Sequence, residues 1–285
     1  MVALLDTHQH LVYPEINRYS WTDNSPALAD KSFTIQDYQQ LTDDVEIVGT
    51  LFMETGVDDK DYQTETRAVA RLSEDKSNNI LGLIASCRPE QDDGFSAWLD
   101  ECAELNVVGF RRILHVVDDA LSTPETFRRN VRAIGDRGKV FDMCFHARQL
   151  PLAVELAQAC PNTQFVLNHC GVPDIAGGEL QGWQAGMRAI AREPNIVCKL
   201  SGIMAYCSPG QASLAAIQPY VDHVLDTFGA GRIIWGSDWP VVDVANGLPA
   251  WISVTQQILE QLSPDEAARI GATNAAQIYR VATSA

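Results

Sequence analysis

The chain has 285 residues, of which 46% are hydrophobic and 20% charged, and its formal net charge is −16. This length and composition admit one large globular domain with enough apolar material for a full core. The acidic balance argues against nucleic acid or an anionic membrane as a partner, because both need a basic face.

Seven cysteines occur, with no C-x-x-C pair, and several sit in apolar runs such as Phe141-Asp142-Met143-Cys144-Phe145. Reduced, buried thiols and a cytoplasmic location are therefore expected. No apolar stretch reaches the roughly 18 residues of a membrane span. The opening residues, Met1 to Asp6, lack the basic and long apolar regions of a signal peptide.

Eight short apolar runs follow one another along the chain, at 2–6, 45–53, 80–86, 107–113, 140–146, 164–169, 195–200 and 232–235. Their apolar character is continuous rather than alternating, which suits strands covered on both faces, as in a parallel sheet. Between and after them, 34–41, 62–72, 94–105, 124–135, 152–160, 181–193, 211–228 and 250–262 carry apolar residues at helical spacing. A last helical region opens at Ser263-Pro264, a good N-cap followed by a good first helical residue, and 274–281 continues it. Eight strand–helix alternations with no break in composition predict an α/β fold, a single-domain (β/α)8 TIM barrel over 1–285. The rival is an open doubly wound sheet; no G-x-G-x-x-G follows the first run, which counts against its dinucleotide-binding form. Segment 11–31, with Tyr13, Tyr19 and Trp21, reads as a long loop after the first strand, either covering the barrel mouth or forming an ordered surface cluster.

Ionisable residues fall at the ends of the runs. The first ends Asp6-Thr7-His8-Gln9-His10, the second runs into Glu54, and the fourth carries Arg111-Arg112. The fifth ends at His146 with Arg148 close behind, the sixth at His169, the seventh carries Lys199, and the eighth leads into Gly236-Ser237-Asp238-Trp239-Pro240. In a barrel these ends converge on one mouth. His8 and His10, two apart, share a face if the strand continues through them, and two neutral imidazoles can then hold one metal ion. Arg111 and Arg112 point to opposite faces, and alternation does not say which looks inward. Nor does it choose between inward and outward for Lys199. Glu54 reads as a ligand, a partner for arginine, or a carboxylate orienting a histidine. His115 and His223 read more simply as a loop residue and a helix-surface residue.

These motifs, with Asn168-His169-Cys170-Gly171 and Cys198-Lys199-Leu200-Ser201-Gly202, resemble the amidohydrolase superfamily over almost the whole chain. More narrowly they are similar to its amidohydrolase 2 branch, which includes L-fuconolactonase, L-rhamnonolactonase and 2-pyrone-4,6-dicarboxylate lactonase. The resemblance implies a hydrolase that opens the lactone of a sugar acid or related carboxylate. It matches His8, His10, His169 and Asp238 to the family's metal-site positions. Gly109-Phe110-Arg111-Arg112 stands where the superfamily has a bridging lysine or glutamate, so one divalent ion, Zn²⁺ first, or none is implied rather than a binuclear centre. On this reading Asp238 is the general base, with His169 and His146 as further catalytic groups. Arg111, Arg148, Lys199 and Glu54 would fix the polar groups of a small anionic or sugar-derived substrate, and Trp21, Trp239 and Tyr19 would stack on its ring. A homo-oligomer is compatible with the sequence. The alternatives are a metal-dependent decarboxylase of the same superfamily and a non-catalytic barrel that binds sugar acids.

Overall fold

In the computed structural model, which describes residues 1–283, all eight runs form strands: β1 (Leu4–Gln9), β2 (Ile47–Met53), β3 (Ile80–Ser86), β4 (Val107–Ile113), β5 (Val140–Cys144), β6 (Phe165–Leu167), β7 (Ile196–Ser201) and β8 (Ile233–Gly236). They pair in parallel and in chain order within one eight-stranded sheet. Closure comes from the chain just beyond β8: Asp238 N–H donates to His8 O and His10 N–H to Trp239 O, both at 2.8 Å. The fold is a (β/α)8 barrel. Of its predicted span, residues 284 and 285 lie outside the described residues.

The helices are α1 (Ile35–Leu41), α2 (Tyr62–Glu74), α3 (Phe95–Glu104), α4 (Glu125–Asp136), α5 (Leu150–Ala159), α6 (Gln181–Ile190), α7 (Leu214–Phe228), α8 (Gly247–Leu259), α9 (Pro264–Ala268) and α10 (Asn274–Tyr279). Ser263 caps α9 as expected: its hydroxyl accepts from Glu266 N–H, and the Glu266 carboxylate accepts from Ser263 N–H. No helix among the described residues is long and apolar enough to cross a membrane. The seven cysteines are free thiols, six of them buried.

Two strands stop sooner than the apolar pattern predicts. β6 ends at Leu167 because His169 and Cys170 both take φ of 52°, a left-handed conformation that breaks a strand. β5 ends at Cys144, and the His146 backbone N–H turns to bond the Gln149 side chain at 2.8 Å.

The barrel interior has two levels. Its floor is apolar: Leu5, Leu51, Ile84, Val140, Val166, Val197 and Ile234 pack with Ala275 and Tyr279 of α10, which closes the bottom. Above the floor the side chains become polar. Lys199 Nζ donates to Asp142 Oδ1 at 2.7 Å and to Thr7 O at 2.8 Å. Asp142 also accepts from Asn168 Nδ2 at 2.7 Å and from the Tyr279 hydroxyl at 2.8 Å. Lys199 and Asp142 are both fully buried, and their mutual bond plus these donors compensates for the loss of water.

Candidate active site

The strand ends bring together four groups far apart in sequence. His8 lies in β1, His10 just beyond it, His169 in the turn after β6, and Asp238 just after β8. Asp238 Oδ1 is 3.5 Å from His8 Nε2 and 3.4 Å from His10 Nε2, while its Oδ2 is 3.7 Å from His169 Nδ1. The ring of His8 is 4.9 Å from that of His10 and 4.5 Å from that of His169. All four residues are nearly closed to solvent, at 0–5% exposure.

Two glycines of the sequence motifs make this approach physically possible. A Cβ on Gly202, whose φ is +58°, would lie 2.2 Å from Asp238 Oδ2. One on Gly236 would lie 2.7 Å from the Cβ of His8. Any larger residue at either position would displace a member of the cluster.

The electrostatics favour the ionised form of Asp238. Burial pushes the Asp238 carboxyl up, but His169, the hydrogen bond and charge of His10, and Arg111 outweigh it and hold the group below its usual range. Burial is the largest influence on His8, which lies well below the ordinary imidazole value, and His169, Lys199, His10 and Arg111 push it the same way. His169 is also lowered, burial outweighing the opposing pull of Asp238.

The donor set suits a divalent metal. One atom each from His8, His10 and Asp238 lies within 4.8 Å of the other two. Tetrahedral bonds of about 2.1 Å place neighbouring ligand atoms roughly 3.4 Å apart, close to the two separations from Asp238 Oδ1 to the imidazoles of His8 and His10. His10 Nδ1 is 2.9 Å from Met53 O, an acceptor, so Nδ1 carries the hydrogen and Nε2 turns toward Asp238. A cation between Nε2 and Oδ1 satisfies both. His169 stands beside this set: its Nδ1 lies 3.0 Å from the Ser201 hydroxyl and 3.3 Å from the Ser201 carbonyl.

Of the two arginines on β4, Arg111 faces the interior and is 3% exposed, whereas Arg112 pairs with Glu90 at 2.8 Å. Glu54 proves to be the partner of Arg111: Arg111 Nε donates to Glu54 Oε1 and Nη2 to the Glu54 carbonyl, each at 2.6 Å. Arg111 Nη1 reaches His8 Nε2 at 3.3 Å. The Glu54 carboxyl is pushed up by burial, yet Arg111 and the Gly56 N–H bring it below its usual range.

The remaining expected contacts divide by burial. Lys199 points inward and bonds Asp142 and the Thr7 carbonyl in the layer below. Trp239 is 1% exposed and packs edge-on with Phe33 and Tyr38, leaving no open ring face. Tyr19 is likewise buried, its hydroxyl accepting from Tyr13 N–H. Both therefore depart from the stacking role expected of them: their apolar surface is already covered by protein. Trp21 remains available at 39% exposure, its indole N–H bonded to Thr55 O at 2.8 Å just beyond β2. Arg148 is largely exposed and paired with Asp119. His146 is partly buried, with its ring 4.9 Å from that of His115. His115 lies against Cys144, and burial followed by the charge of His146 lowers it to about 4. His223 is on α7, its Nε2 3.1 Å from Gln184 O.

Sequence reasoning assigned no part to Asp142, Glu65 or Tyr279. Asp142 had a readable signal, a lone carboxylate inside an apolar run. Tyr279 had none, because a hydroxyl on a terminal helix does not announce that it reaches the barrel interior.

Comparison with known proteins matches this geometry to a family. The family model described as Amidohydrolase covers residues 5–281. An L-fucono-1,5-lactonase of Burkholderia ambifaria is 38% identical over 145 residues, so that the match spans half of this chain and half the length of that enzyme. Among solved structures, an amidohydrolase of Burkholderia multivorans with bound zinc superposes with a TM-score of 0.89 at 24% identity, covering 99% of this chain and 100% of that one. A probable 2-pyrone-4,6-dicarboxylic acid hydrolase of Acinetobacter baumannii gives 0.77 at 17%, covering 98% and 100%. The 5-carboxyvanillate decarboxylase of Sphingomonas paucimobilis gives 0.66 at 14%, covering 99% and 100%. At these identities the structures share the barrel fold. With the family model spanning nearly its full length, the chain belongs to the amidohydrolase family.

Proposed function

We propose that the protein hydrolyses the lactone of a sugar acid or related carboxylate, with Asp238 as the general base. The observation that carries this reading is a buried carboxylate ringed by three imidazoles at the barrel mouth, in surroundings that lower its pKa. The lactonase names borne by two sequence relatives support the reaction class.

In the proposed reaction a water attacks the lactone carbonyl carbon and Asp238 takes its proton. The ring C–O bond breaks, the leaving alkoxide recovers that proton, and a hydroxy acid results. A divalent ion, Zn²⁺ first, held by His8, His10 and Asp238, would supply Lewis-acid polarisation of the carbonyl. Arg111 adds a buried positive charge beside His8, which would stabilise negative charge developing on the carbonyl oxygen. His169, against Oδ2, supports the ionised state of Asp238. His146, Arg148 and Trp21 lie on the rim and are the groups we assign to substrate hydroxyls, a carboxylate or a ring face.

The test is a pH-indicator screen of aldono-, uronic- and pyrone-type lactones with and without chelator, repeated in ¹⁸O-water. Lactone hydrolysis yields one titratable acid per turnover with one heavy oxygen in the new carboxylate. Release of carbon dioxide from an aromatic acid, with no lactone turned over, would instead select the decarboxylase reading. Tight binding of sugar acids without turnover would select a binding barrel.

A further inference from the structure

Arg111 occupies an unusual place for a cation, because it touches a nitrogen that a metal would need. Its guanidinium is held on one edge by the Glu54 side chain and backbone, each at 2.6 Å. Glu54 is itself anchored, its Oε2 accepting from Gly56 N–H at 2.9 Å. This fork directs Nη1 at His8 Nε2, 3.3 Å away. A guanidinium has no acceptor and keeps its protons, so the lone pair in this contact belongs to His8. The same Nε2 lies 3.5 Å from Asp238 Oδ1 and belongs to the three-residue donor set. One lone pair serves one partner.

We infer that Arg111 and a divalent cation are alternative partners of His8 Nε2, so that Arg111 holds down the metal affinity of the site. Metal entry must break the Nη1–His8 contact and bring a dication close to a buried guanidinium. Both effects oppose binding, and Glu54 prevents the guanidinium from swinging clear. Without metal, the same contact fixes the His8 ring and keeps a positive charge at the cluster. The inference rests on the metal site of the proposed function and not on its substrate.

Zinc affinity, read by competition with a chromophoric chelator, tests it in the wild type and in the double variant Glu54→Gln/Arg111→Met. The double variant removes the guanidinium together with the carboxylate it neutralises, so no lone buried charge is left. We expect zinc to bind at least about tenfold more tightly to it, because the Nη1 contact that competes for His8 Nε2 is gone. A smaller gain, weaker binding, or no zinc binding by either protein overturns the inference. Should the double variant fail to fold, ¹⁵N NMR of the wild type decides: zinc at millimolar concentration should shift the Arg111 guanidinium signals, and unchanged signals overturn it. Both readouts report zinc occupancy, so they hold whether or not a lactone is turned over.

Discussion

Inside the barrel, Lys199–Asp142 and Arg111–Glu54 are both buried ion pairs, yet they differ in what is left over once each has formed. Lys199 spends its ammonium on Asp142 and the Thr7 carbonyl, and Asp142 is filled by Asn168 and Tyr279 as well. None of these bonds reaches His8, His10, His169 or Asp238. Arg111 bonds Glu54 along one edge and still extends Nη1 to His8, within the cluster around Asp238. The lower pair ties β5, β7 and α10 together, while the upper pair is built into the site. Burial alone does not distinguish the two pairs; the contact that Arg111 makes with His8 does.

This contrast can be broken most sharply at the lower pair. Lys199→Met leaves Asp142 as a buried carboxylate without its cation, and should cost about 3–5 kcal/mol in urea unfolding. If the protein that remains folded keeps its kcat within a few-fold, the lower pair is structural. A specific loss of kcat at unchanged stability would move Lys199 into the site.

Arg111→Lys makes the opposite test. It keeps the charge but cannot hold Glu54 and His8 with one planar fork. We expect kcat/KM to fall on the order of 10²-fold, the scale of one misplaced electrostatic group, with a smaller change in stability than at Lys199. Equal activity would show that charge near Glu54 suffices without the contact to His8.

The smallest expected effect concerns Glu65, a buried carboxyl of α2 whose oxygens accept from Thr55 N–H at 3.1 and 3.3 Å. Burial raises it well above the ordinary carboxyl value, and Glu54 pushes it further up. The folded state therefore retains a proton that the unfolded chain releases, so Glu65 costs stability as pH rises from the ordinary carboxyl range through its folded value. Glu65→Gln removes that cost while keeping one acceptor for Thr55. It should stabilise the protein more at about pH 8 than at about pH 4, as chemical denaturation at the two values would show. A pH-independent effect would place the cost elsewhere than in the carboxyl proton.

The barrel was legible in the sequence because parallel strands covered on both faces leave continuous apolar runs, and all eight became strands. The candidate site was legible where polar residues interrupted the strand ends, as at His8, His10, His169 and Asp238. Direction was not. Choosing Arg111 over Arg112 requires knowing how β4 sits between its neighbours, which one strand's alternation does not contain. Trp239 and Tyr19 read as ring-stacking residues because an aromatic near a barrel mouth looks free until its packing against Phe33 and Tyr38, or its place in the first loop, is seen. The early end of β6 depends on left-handed backbone at His169 and Cys170, residues that carry no glycine-like signal.

The central claim is that Asp238 is the base at this cluster, and the most direct measurement is kcat for Asp238→Asn on a lactone that the wild type opens. Asparagine has nearly the same shape but cannot accept the water proton at neutral pH. The account expects kcat to fall about 10²–10⁴-fold, with the near-UV circular dichroism and melting temperature of a folded protein. Activity within twofold of wild type would contradict it.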